Sequence, residues 1–376
     1  MTYKKLLIIT LIYLSQAAYA AHDNAYFRHL KFRETPFSPY QGIHPIDKKE
    51  AKETAHYRFE YDDQGRVTSV AHMIGKQIIN DNGNWDTFIW FAPKVSMTYK
   101  KHQEIHHYHN TKDERISAHG KVYQATYQLN SEGKRISLSF TDEQGQASEN
   151  AWGINRYQWQ HKDAQNIIEK RFDLKNTQKP LRPVFPFYET HMTFDHKGQI
   201  QFMKNYGTES QPTNNDSGAG IDRIFYDLEG NFQRWHVYDK DGKPVNGNRP
   251  MVHIGEHLYD DKGNKIGMRG FNPQGQQIKF SWGDFEIRNQ YDKFGNQVQS
   301  QVLNESGKQS HRITVEYSKN GLRREWLKAY NAENQLSASP MLSGAAALKY
   351  QYADDDLIPS GRVPYDKELK KLPQQN

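Results

Sequence analysis

Tyr226-Asp227-Leu228-Glu229-Gly230-Asn231, Tyr259-Asp260-Asp261-Lys262-Gly263-Asn264 and Tyr291-Asp292-Lys293-Phe294-Gly295-Asn296 are three copies of one phrase. Phe194-Asp195-His196-Lys197-Gly198 is a fourth that lacks the closing asparagine. Their aromatic leaders stand 32, 33 and 32 residues apart. A second phrase follows each of the last three glycines by 12 residues, at Gly242, Gly275 and Gly307, and is clearest in Tyr238-Asp239-Lys240-Asp241-Gly242. Weaker relatives occur at Tyr61-Asp62 with Gly65, Asn130 with Gly133, Asp142 with Gly145, and Ser318 with Gly321. Self-similarity at a fixed period is the signature of a repeat architecture.

Each phrase has the chemistry of a hairpin. Asp or Asn suits the first position of a type I turn, where its side chain bonds nearby backbone amides. A glycine three residues on supplies the positive φ that closes the hairpin, commonly with a bulge. The stretches between turns alternate with period two. Val298, Ser300 and Val302 oppose Gln297, Gln299 and Gln301; Ile266 and Met268 oppose Lys265 and Arg269; Trp235 and Val237 oppose Arg234 and His236. This is the pattern of half-buried antiparallel strand. The fold expected is all-β: tandem antiparallel hairpins in an elongated, twisted meander that curls to protect its apolar face. A barrel or sandwich is the next choice, since a unit this short lacks the residues of a propeller blade.

At these residues the sequence resembles the tyrosine–aspartate (YD) repeats of RHS and teneurin-type proteins and related bacterial hairpin-repeat families, over about residues 120–335. The resemblance implies a β-repeat scaffold and brings no catalytic residues. Those repeats have a shorter period and build very large toxin-enclosing shells, so encapsulation does not carry over.

Outside the array the chain changes character. Residues 1–20 read as an export signal, with Lys4 and Lys5, an apolar run from Leu6 to Leu14, and the small-x-small sequence Ala18-Tyr19-Ala20. That run is too short to span a bilayer. Residues 21–57, with Pro36, Pro39 and Pro45, suggest an extended lead-in. Residues 58–125, with Trp85, Phe88, Trp90, Phe91 and Tyr99, suggest an irregular β region that caps the array, because repeat arrays need atypical ends. The array itself is expected over 126–355, and residues 356–376 read as a flexible tail.

Composition narrows function by exclusion. There is no cysteine, which removes disulfides, thiolate metal sites and Cys nucleophiles. The 48 aromatic residues are too many for a solvated coil. Without the signal, 48 basic residues face 44 acidic ones, interspersed and without a block that could serve as a nucleic-acid arm. Export without cysteine points to a periplasm or cell surface. Asp239-x-Asp241-Gly242 lacks the later acids of a calcium loop, and Ser131-Glu132-Gly133-Lys134 lacks the partner motifs of a serine acylase.

One cluster has ligand chemistry. His102, Glu104 and His106 would share one face of a strand, with His107 and His109 on the other, and imidazole with carboxylate suits zinc, copper or nickel. The set is incomplete by itself and needs ligands from another strand. Trp152, Trp282 and Trp326 fall near repeat boundaries and Trp235 inside a strand. Packing between repeats accounts for them, with an aromatic strip for glycan or peptide as the alternative. Every recurring residue has a turn or packing explanation. The expectation is therefore an exported, non-enzymatic binding or scaffolding protein with no cofactor and a protein or cell-envelope partner. The alternatives are a periplasmic immunity-type protein that neutralises a secreted toxin, a metal-binding protein using His102–His109, and a glycan- or cell-wall-binding protein.

Overall fold

The turns show how the phrases work. In the structure, a computed structural model that describes residues 24–83, 91–183 and 185–373, Gly230, Gly263 and Gly295 have φ of 95°, 79° and 83°. Asp227 Oδ1 accepts the Asn231 amide at 2.8 Å, and Asn231 Nδ2 donates back to Asp227 Oδ2 at 2.8 Å. The same double clamp recurs between Asp260 and Asn264 and between Asp292 and Asn296. The register slips by one residue beside each turn, at Phe225/Tyr226, Leu258/Tyr259 and Gln290/Tyr291. A glycine in the left-handed region followed by a bulge is the expected closure of a three-residue hairpin loop. Asp195 and Asp239 make the equivalent backbone contacts, and Gly198, Gly242, Gly275 and Gly307 all have positive φ.

These hairpins join into one antiparallel sheet of 25 strands, so the fold is all-β. From β1 (Ala25–Leu30), which lies between β2 (Gly42–Ile46) and β3 (Ala55–Tyr61), the sheet runs on through β4 (Val67–Ile74) as a meander in chain order. Two-residue strands at Gln77–Ile78, Arg115–Ile116 and Gln277–Ile278 clip onto it at the side. Its last strand, Gly361–Tyr365, pairs with Ala347–Gln351 and not with β2, so the sheet is not closed.

The lead-in is more than extended chain. It holds β1, β2 and a four-residue helix, α1 (Lys48–Ala51), whose N-cap Asp47 accepts the Glu50 amide. Between β1 and β2 it threads through the inside of the curl. Phe32 and Tyr40 are buried in the same cluster as Tyr57, Tyr127, Trp159, Met203 and Phe232. Boundaries drawn at 57/58 and 125/126 fall inside β3 and inside the strand Gln124–Leu129, so no break in the sheet marks either. The C-terminal tail also needs correction. Residues 361–365 are a paired strand, and Leu372 packs on the small cluster around Ile313, Ala329 and Leu348. Partner-less apolar surface at the end of the array makes that strand worth forming.

The coil of the sheet brings the first strands against the turns of the main repeat. Lys31 Nζ donates to the Lys197 carbonyl at 3.0 Å, His29 Nε2 bonds the Lys262 carbonyl at 3.1 Å, and His44 Nε2 bonds Asn231 Oδ1 at 2.9 Å. The Ala55 amide donates to the Phe294 carbonyl at 2.7 Å, and Asn82 Nδ2 to the Gly295 carbonyl at 3.2 Å. The glycines of the second phrase are not packed against: a Cβ on Gly242, Gly275 or Gly307 would find open space. In the three copies of the first phrase that end in asparagine, that residue is buried.

Candidate functional site

Polar side chains at inward strand positions are the informative ones, because a buried polar group must be satisfied or it costs free energy. Asp222 is such a case. In Ile221–Tyr226 the alternation that puts Ile224 inside also puts Asp222 inside, and Asp222 is only 7% exposed. Asn248 Nδ2 donates to its Oδ1 at 2.8 Å, while its shielded Oδ2 has no partner among the described residues. Burial, and then the charge of Glu34, push this carboxyl up to about 7.

Asp222 lines a cavity of about 620 Å³ between the threaded lead-in and the inner face of the sheet. Glu34 enters it from the lead-in and Arg182 from the loop between the strands Asn166–Phe172 and Glu189–Phe194; their side chains pair at 2.5 Å. Burial raises the Glu34 carboxyl while Arg182 pulls it back down. Phe32 packs on Phe232 with ring centroids 4.3 Å apart, and Trp235, Met203 and Met268 extend the apolar wall. Trp282 is exposed, stacks on buried Phe280 at 4.7 Å, and anchors its indole NH on Asp284 at 3.1 Å. Lys265 lines the cavity beside Met268, contrary to the simple alternation, because the bulge at the turn resets the faces. A mostly apolar hollow with a few convergent polar groups, one of them strongly shifted, has the form of a ligand site.

The histidine cluster expected to seed a metal site is built differently. His102 lies in the two-residue turn before the strand Gln103–His109, exposed and at φ of 60°, and does not share a face with Glu104 and His106. A two-residue hairpin loop requires positive φ, which takes His102 out of the alternation. Glu104 and His106 do meet, at 2.7 Å, but Arg135 takes both Glu104 oxygens, at 3.0 and 2.5 Å. Burial opposes ionisation of Glu104, yet Arg135 and His106 hold its carboxyl well below the usual range. Arg135 in turn donates to the Phe37 carbonyl at 2.8 Å, so this cluster fastens the lead-in. On the other face His107 bonds Gln124, and His109 bonds Ser96 and pairs with Asp113. Among the described residues no three of His, Asp and Glu converge as a metal site.

Sequence reading missed Glu34, Arg182 and Asp222. Glu34 and Arg182 sit in non-repetitive segments with no periodicity to expose them. Asp222 had a signal, an acid at an apolar-face position of a strand. The export segment 1–20 and the aromatic residues Trp85, Phe88 and Trp90 lie outside the described residues.

No family model and no curated protein matches the chain. Among solved structures it is similar to the chain of "TcdB2-TccC3-TEV", at 10% identity and a TM-score of 0.23, over 84% of this chain and 20% of that one. A porin-like protein from Bacteroides uniformis ATCC 8492 matches at 10% identity and a TM-score of 0.24, covering 62% of this chain and 91% of the other. One from Bacteroides vulgatus ATCC 8482 matches at 12% identity and a TM-score of 0.23, over 70% and 93%. The chain spans about one fifth of the toxin-complex chain it matches. Among the described residues no helix is long and apolar enough to cross a membrane.

Proposed function

We propose that this protein is an exported, non-catalytic binding protein whose hairpin scaffold holds a small ligand in the cavity capped by the lead-in. One observation carries the reading: a hollow of about 620 Å³ whose largely apolar wall brings together the polar groups of Glu34, Arg182, Asp222 and Asn248. Binding rather than turnover is favoured because the other acid, Glu34, is neutralised by Arg182 and stands as part of the wall. Export rests on the Lys4–Ala20 segment. The test is native mass spectrometry of the protein purified from the periplasm of cells expressing the full chain. A chain beginning at Ala21 and carrying a small-molecule adduct that is lost in Asp222→Asn supports the proposal. Retention in the cytoplasm, or reproducible turnover in a hydrolase screen, overturns it.

A further inference from the structure

The ligand's chemistry follows from how Trp235 is seated. Its neighbour across the sheet is Gly255, and a Cβ there would lie 1.8 Å from Trp235 Cζ2 and 1.9 Å from Cη2. Glycine is needed because the indole lies down on the backbone of the adjoining strand; the ring also packs on Phe232 and His257 and lines the cavity with part of its surface. An aromatic ring held flat in this way is a stacking platform. The polar groups around it are of both kinds: Asp222 accepts, while Asn248, Arg182 and Lys265 carry donors. The lining holds Glu34 and Asp222 against Arg182, Arg249 and Lys265, a small excess of positive charge, so an anion is the competitor that the experiment must exclude. Trp282 at the exposed side adds a second aromatic surface.

We propose that the cavity binds a neutral saccharide, one pyranose ring stacked on Trp235 with its hydroxyls turned to the polar groups of Asp222, Asn248 and Arg182. A pyranose has an apolar C–H face and a rim of hydroxyls that both donate and accept, which is the complement of this wall. The volume, about 620 Å³, suits one or two sugar rings. The inference rests on the reading of the cavity as a ligand site and adds the class of ligand.

The experiment is a titration of the full mature protein, followed by tryptophan fluorescence and thermal shift. The probes are maltose, cellobiose and N,N′-diacetylchitobiose as neutral saccharides, choline as a cation and benzoate as an anion. The expected result is saturable binding of at least one disaccharide, with neither ion bound. At pH 8, where Asp222 is ionised, loss of the carboxylate should weaken that binding about tenfold in Asp222→Asn, which keeps the shape of the side chain. Gly255→Ala, which lifts the indole, should weaken it as well. Equal affinity in wild type and in both variants overturns the proposal. Saturable binding of choline or benzoate alone overturns the saccharide assignment and leaves the binding cavity standing. No saturable binding by any probe overturns both.

Discussion

Gly263 and Gly275 have nearly the same backbone, φ of 79° and 77°, but a Cβ at 263 would fall 2.4 Å from the His44 ring while one at 275 meets nothing. The pair therefore separates conformational strain from packing. Gly275→Ala should cost about 1–2 kcal/mol, the ordinary penalty of a left-handed non-glycine residue. Gly263→Ala should cost clearly more, because His44 must leave Asn231; urea denaturation of both variants measures the difference, and equal costs would deny the contact with the lead-in. Asp222 makes a prediction of the opposite kind. Its carboxyl moves from 3.8 to about 7 on folding, by burial and then by the charge of Glu34. Between those values the folded chain holds a proton that the unfolded chain has released. The favourable contribution is complete below pH 4 and is lost as pH rises through 7, a change on the order of 4 kcal/mol. Asp222→Asn removes this dependence, so its stability relative to wild type should climb between pH 5 and pH 8. A difference that is flat across that range would show that Asp222 is solvated.

Among the elements, the terminal strand Gly361–Tyr365 shows how local the array's stability is. It covers Ala347–Gln351, and the Ala346 amide donates to the Tyr365 carbonyl at 2.9 Å. In a repeat array each unit is held mainly by its neighbours. Ending the chain at Ser360 should therefore speed hydrogen exchange in Arg324–Tyr330 and Ala347–Gln351 while the amides of Ile221–Tyr226 stay protected. Loss of protection at both places would mean one cooperative unit. The hairpins were legible in the sequence for the same reason of locality. The Asp227–Gly230–Asn231 turn is decided within six residues, by an Asx hydrogen bond and a positive φ, and the strands between turns follow by period two. The lead-in was not legible, because its aromatic residues are buried by hairpins far along the chain, Phe32 on Phe232 and Tyr40 on His106. Lys265 was misplaced because a bulge adds one residue to the count. The cavity combines both difficulties, which is why its tryptophans were visible as residues and its acid pair was not.

At the scale of the whole molecule the two ends are unequal. The C-terminal strand touches its neighbours, whereas the lead-in reaches turns spread along the chain from Lys197 to Phe294. It also fills the curl: Phe32 and Tyr40 belong to the main core, and Arg135 holds the Phe37 carbonyl from the opposite wall. An open meander has only nearest-neighbour terms, and an all-β array with a wet inner face would lose its hydrophobic driving force. Burying a side chain such as Phe32 is worth about 1.5–3 kcal/mol, and withdrawing the lead-in would also uncover Phe232, on which Phe32 packs, and Trp159, on which Phe37 packs. Against a typical net stability of about 5–15 kcal/mol, that sum decides the fold. A chain lacking residues 24–54 should therefore show no sigmoidal transition on heating, followed by circular dichroism, and should bind a hydrophobic dye. The chain ended at Ser360 should keep its transition with a lowered midpoint. If the chain without its lead-in melts cooperatively within a few degrees of the intact protein, the hairpins hold the curl by themselves and the lead-in only roofs the cavity.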